Sequence, residues 1–215
     1  MTNIWGIILS YVYIALIIVG AKLFEKAGKE ASRKFIHIML GNWWIIAMFF
    51  FDNVIYASFV PATFVIINYI SYKKQIISVM ERENNEKEGL GTVYYALSLL
   101  VLSIISFGIL NKPEIGLVPC LVMAYGDGLA AIIGKAVKSK KYEIGNSQKT
   151  IAGSLTMFIV TVLAVFIYLT YMQNPAAAFY AIIIGILITI VEAISIKGLD
   201  NLTVPICTLL LLLSI

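Results

Sequence analysis

Three carboxylates stand in stretches that offer almost nothing else polar. Asp127 lies between Gly126 and Gly128, and no other charged side chain occurs from 115 to 134. Glu192 falls inside a second apolar stretch, and Asp200 with Asn201 opens a third. A charge at the centre of a membrane helix costs roughly 2.5–3.5 kcal/mol on insertion scales, so an acid retained there is read first as a functional group. About eight residues beyond Asp127 the chain turns basic, with Lys135, Lys138, Lys140, Lys141 and Lys149, and then runs Thr150, Gly153, Ser154. Carboxylates beside ammonium groups and a glycine-containing turn suit a magnesium-nucleotide. The acids serve the hard cation, and the ammoniums and backbone N–H groups serve the phosphates. The competing structural account is an acid held by a helix–helix hydrogen bond.

Arg33, Lys34 and His37 make a second group. They are spaced three and four apart, so they share one helical face, and His37 is the only histidine in the chain. Near a helix start they can receive an anion. Taken alone, Arg33 and Lys34 also read as snorkelling anchors at a membrane surface. The glycines of Glu88-Gly89-Leu90-Gly91-Thr92 read as a turn capped by Thr92.

The elements that must position these groups follow from composition. Of 215 residues, 60% are hydrophobic and 13% charged, with a mean hydropathy of +0.93, against roughly 45–50% apolar residues in a soluble domain. Apolar segments fall at 4–23, 35–51, 54–72, 92–110, 115–136, 151–172, 177–196 and 202–215. These are seven clear spans and a short eighth, without the two-residue alternation of a membrane barrel. The expectation is an all-α, polytopic membrane protein, 1–215 forming one membrane domain. Fifteen of the sixteen Lys and Arg lie in alternate connections, and only Lys112 lies in the others. That bias puts the basic connections, and with them every candidate group, on the cytoplasmic side and both termini outside. It also accounts for the net charge of +4 without a nucleic-acid partner. Cys120 and Cys207 fall in or beside spans, where thiols pack as small residues.

Five motifs in order, SRKFIH, EGLGTVYY, GDGLAAIIGK, KTIAGS and VEAISIKGLDNLTVP, cover most of the chain from residue 32 to 205. Together they resemble the CTP-dependent polyprenol kinases, the phytol, farnesol and dolichol kinases. One departure is Ala131, where plant phytol kinases usually carry an acid. The resemblance implies phosphoryl transfer from CTP to the hydroxyl of a membrane isoprenoid alcohol, at the cytoplasmic face and with Mg2+. It casts Asp127 and Asp200 as metal ligands, with Glu192 and Asn201 in support. Arg33, Lys34, Lys135, Lys149 and Thr150 stand against the phosphates, with Gly153 and Ser154 giving close backbone approach and a hydroxyl. Asp127 or His37 is the candidate general base, Asp127 preferred. The alcohol and the oligomeric state are left open.

The Asp-x-x-Ala, Gly-Lys and Lys-Thr-x-x-Gly pattern also resembles phosphatidate cytidylyltransferases, whose closing signature is missing here, and related enzymes phosphorylate diacylglycerol. A transporter is the remaining alternative. It is disfavoured because the polar motifs cluster on one side.

Overall fold

Long runs of Leu, Ile, Val and Phe with no partner strand can satisfy their backbone in lipid only as helices. The computed structural model describes residues 1–24, 26, 28–74, 90–144 and 147–215. It shows α1 (Thr2–Phe24), α2 (Lys29–Gly41), α3 (Trp43–Phe50), α4 (Val54–Lys74) and α5 (Gly91–Ser103, continued as a π turn over Ile104–Ile109). A single long segment follows. It opens with a 3-10 turn (Pro113–Gly116), continues as α6 (Leu117–Leu121) and a π turn (Val122–Asp127), and ends as α7 (Gly128–Ala136). A hairpin, β1 (Lys141–Ile144) and β2 (Ser147–Thr150), leads into α8 (Ile151–Tyr171), α9 (Ala177–Ile194) and α10 (Asp200–Leu213). Among the described residues, six helical segments are long and apolar enough to cross a membrane. The chain is an integral membrane protein built from helices.

The other two expected spans take particular forms. The 35–51 stretch bends at Asn42, where i to i−3 bonds, Asn42 N–H to Met39 O (3.1 Å) and Ile45 N–H to Asn42 O (3.1 Å), tighten the turn. The adjacent rings of Trp43 and Trp44 are both buried there. Trp43 Nε1 donates to Ser10 Oγ (2.9 Å) and Trp44 Nε1 to the Pro113 carbonyl (2.9 Å). The last helix has 14 residues, which at ~1.5 Å per residue is about 21 Å, short of a ~30 Å hydrocarbon layer.

The segment Pro113–Ala136 is 67% buried over its apolar window, against 22–50% for the other five, so the helix carrying Asp127 forms the centre of the bundle. Its Met123 packs in one cluster with Trp43, Trp44, Tyr95 and Leu102, and its Val122 in another with Met157, Val165, Ile188 and Val204. Lipid is as apolar as leucine, so these contacts rest on close fit. At Gly126 a Cβ would stand 2.6 Å from Met157 Sδ, and at Gly128 it would overlap Ile38. The two glycines leave the backbone helical. The π turn that holds Gly126 and ends at Asp127 gives the wide winding often found at functional sites.

The hairpin falls where the sequence reading places only a basic loop. Tyr142 pairs with Lys149 and Lys141 with Thr150, so the strand register rather than a flexible connection orients Lys149.

Candidate active site

Gly41 is packed so closely on Ala124 that a Cβ would overlap it, and Gly128 stands in the same relation to Ile38. The glycines bring α2 onto the π turn, and two side chains of the SRKFIH motif meet Asp127 there. Lys34 Nζ lies 2.8 Å from Asp127 Oδ2, and His37 Nε2 lies 3.2 Å from the same oxygen. The three side chains are 7%, 11% and 13% exposed, so the ion pair is nearly dry. His37 Nε2 is also 3.1 Å from the Met123 carbonyl. A carboxylate and a carbonyl are both acceptors, so Nε2 carries a proton. The ring lies edge-on to Tyr95 (4.9 Å between centroids), whose hydroxyl donates to the His37 carbonyl at 3.0 Å.

From the other side Lys149 is paired with Glu192, which is only 5% exposed. Burial pushes the Lys149 ammonium down, and the Glu192 carboxylate with its hydrogen bond outweighs that and raises its pKa. Thr150 caps α8, its hydroxyl accepting from Gly153 N–H at 3.1 Å. A Cβ on Gly134 would stand 2.6 Å from that hydroxyl, and one on Gly153 3.0 Å from the Ala130 carbonyl. The glycines of GDGLAAIIGK and KTIAGS therefore lock α7 to α8. Ser154 Oγ hydrogen-bonds the Tyr142 hydroxyl (2.5 Å).

Asp127, Glu192 and Asp200 each offer a carboxylate oxygen, and the three oxygens lie within 4.8 Å of one another. Ligands at ~2.0–2.1 Å from one magnesium stand about 3 Å apart when adjacent and about 4.2 Å when opposite, so the three oxygens would draw closer together to share one Mg2+. Asn201 N–H donates to Asp200 Oδ1 (3.0 Å) and its side-chain amide donates to the Gly91 carbonyl (3.1 Å). The amide oxygen Oδ1 is left buried without a partner. Leu199 holds the N-cap of α10 and Leu90 that of α5, so neither Asn201 nor Thr92 caps a helix. Glu88 and Gly89 lie outside the described residues.

Two expected phosphate ligands pair with Glu30. Arg33 bonds both oxygens of Glu30 through Nε and Nη2, and Lys135, 69% exposed, lies 3.7 Å from the same carboxylate. Sequence reading passed over Glu30, Asn68 and Tyr142. Asn68 carries a signal, as an amide within an apolar span, and it donates to the Thr92 carbonyl at 3.0 Å.

Beside the acids opens a cavity between α1, α2, α4 and α5. His37 and Asn201 line it and also belong to the charged cluster.

Fold and site together define a helical membrane protein with a buried acid–base cluster at one end of its bundle. Over 211 residues the chain is 29% identical to the phytol kinase of Synechocystis sp., covering 92% of this chain and 85% of that one. It is 31% identical over 202 residues to a probable phytol kinase 1 of Glycine max and 29% over 202 to phytol kinase 1 of Arabidopsis thaliana, covering 64% and 65% of those chloroplastic proteins. The chain is similar to the phytol kinases over most of its length. No family model matches it, and no solved structure does.

Proposed function

We propose that the protein transfers the terminal phosphoryl group of CTP to the hydroxyl of a membrane isoprenoid alcohol, at the cytoplasmic face, with magnesium. One observation carries the reading: three carboxylates, Glu192 buried and Asp200 half-buried, meet against two ammonium groups, leaving one net negative charge among them. A dication reverses that sign and makes the cluster a receptor for a triphosphate. Its chemistry there is to neutralise the charge on the phosphate oxygens, the main requirement of this reaction class. The names of the relatives support the kinase, and the motif resemblance supports CTP.

The residues divide the work. Asp127, Glu192 and Asp200 hold the cation, and Lys34 and Lys149 place positive charge against the phosphates. Thr150 and Gly153 hold the start of α8 rigid beside them. In this reading His37, held through Nε2 by Asp127 and the Met123 carbonyl, receives the alcohol proton in preference to Asp127, whose Oδ2 is already engaged twice.

The test is phosphoryl transfer by purified protein in detergent. Labelled CTP or ATP is offered with magnesium to phytol, farnesol, geranylgeraniol, longer polyprenols, diacylglycerol and phosphatidate. Transfer of the terminal label to an isoprenoid alcohol, with CTP preferred, is expected. Formation of a CDP-lipid from phosphatidate, or label on diacylglycerol alone, overturns the reading.

A further inference from the structure

We propose, resting on the reading above, that the cavity between α1, α2, α4 and α5 holds water that carries the acceptor's hydroxyl proton to His37, and that Asn201 positions this water. The cavity encloses about 70 Å³, room for roughly five waters at ~10–15 Å³ each. Its deep end is closed by Trp43, Val60 and Leu99, which are 1%, 2% and 7% exposed. The one polar group among them, the Trp43 N–H, is already given to Ser10. Water therefore gathers at the other end, where Arg33, His37, Asn68 and Asn201 stand.

A buried water needs two to four polar partners, and this end supplies them. The Asn201 amide nitrogen donates to the Gly91 carbonyl, and its oxygen is buried without a partner, a costly state that water relieves. Arg33 binds Glu30 through Nε and Nη2, which leaves Nη1 to donate. His37 turns Nε2 to Asp127 and the Met123 carbonyl, so in the neutral ring Nδ1 is the nitrogen that accepts. Direct transfer of a proton to Nε2 is blocked, because that nitrogen already donates, and a base can act through one water instead. A water that donates to Asn201 Oδ1 and to His37 Nδ1 keeps its own oxygen open to the alcohol. As the alcohol oxygen bonds to the terminal phosphorus and the bond to the bridging oxygen breaks, the alcohol proton passes to the water and a water hydrogen passes to Nδ1. CDP leaves, the water is regenerated, and the imidazolium is held by Asp127 at 3.2 Å. Arg33, 21% exposed, brings the cavity to the surface, so the proton then leaves through the same waters.

The water is tested first, without turnover. X-ray radiolysis of the purified protein in detergent oxidises side chains that lie beside bound water. Tyr95, 5% exposed, lines the cavity, and Trp44, 0% exposed, does not. Oxidation of Tyr95 at least tenfold faster than that of Trp44 is expected, and equal rates overturn the hydrated cavity. Ala96, 4% exposed on the cavity wall, is replaced by Leu to displace the water, and Tyr95 oxidation then falls at least fivefold. The relay is tested by single-turnover phosphoryl transfer to farnesol in mixtures of H2O and D2O. Two hydrogens move together, so the parent's rate follows a bowl-shaped curve against the deuterium fraction, and a straight line overturns the relay. Ala96→Leu lowers the rate at least tenfold with KM for CTP within threefold of the parent's, and a rate within twofold overturns the relay. Asn201→Leu, which removes the acceptor, gives a slow rate and a straight line, and a bowl-shaped curve there refutes the part given to Asn201. If no alcohol is phosphorylated the kinase reading fails, while the oxidation of Tyr95 still decides the cavity.

Discussion

Removing Asp127 tests the charged cluster most sharply, provided its structural and chemical consequences are separated. Asp127→Ala strands Lys34, whose side chain is 7% exposed and whose ammonium lies 2.8 Å from the lost carboxylate. Leaving one partner of a buried pair uncompensated costs about 3–5 kcal/mol. At roughly 2–4 °C per kcal/mol for a chain of this size, the melting temperature falls by about 6–20 °C. Lys34→Met strands Asp127 in the same way, though His37 still contacts it at 3.2 Å, so its loss is the smaller of the two. In Lys34→Met/Asp127→Ala neither charge is left buried alone, and most of the stability returns. Activity does not return, because the double variant lacks one of the three proposed cation ligands and one of two ammonium groups. Loss of one such electrostatic contact in a buried site costs about 10²–10³ in kcat. The assay is thermal unfolding in detergent beside phosphoryl transfer for the parent and all three variants. A double variant that is stable and turns over within a few-fold of the parent refutes the argument, since the pair would then be a helix–helix contact and nothing more.

Three further outcomes follow from the geometry. Asp200→Asn keeps the hydrogen bond to Asn201 N–H while removing a charge from the acidic set, so the magnesium concentration for half-maximal activity rises at least ~tenfold, read by metal titration. Gly134→Ala places a Cβ 2.6 Å from Thr150 Oγ1, which disturbs the α8 cap and lowers stability by about 1 kcal/mol, read by thermal unfolding. Lys149 has a raised pKa in the fold, so its pairing stabilises fully below the ordinary lysine value of about 10.5 and is lost as pH climbs through the higher folded value. The melting-temperature gap between parent and Lys149→Met is therefore widest at neutral pH and closes at strongly alkaline pH.

Residue types carried much of this site, and their pairing did not. A carboxylate between two glycines in an apolar run, a second within the stretch 177–196 and a third before a short span marked Asp127, Glu192 and Asp200 as chemistry, because such groups are costly in lipid. The same logic misses Glu30, which lies in a polar connection where acids are ordinary, yet it pairs with both Arg33 and Lys135. Helix count was legible from run length. The break at Asn42 was not, since it answers to the burial of two neighbouring indoles against Ser10 and Pro113, contacts of long sequence separation. The hairpin was hidden because two four-residue strands give only two periods of alternation each, too few to stand out in a basic stretch. The cavity belongs to four helices and has no counterpart in any one of them.

The glycines connect these levels. In water a bundle is driven together by its apolar faces, whereas in lipid that force is absent and association depends on how closely backbones approach and on polar contacts between helices. Gly41 and Gly128 let α2 reach the centre of the bundle, and Gly134 and Gly153 let α7 reach α8. The ion pairs Lys34–Asp127 and Lys149–Glu192 then join α2 to the π turn and the hairpin to α9. The groups that hold these elements are thus the groups proposed to hold the cation and the phosphates. A ligand that draws Lys149 toward a phosphate must loosen its grip on Glu192, so binding and the local stability of the hairpin are coupled through one ammonium group.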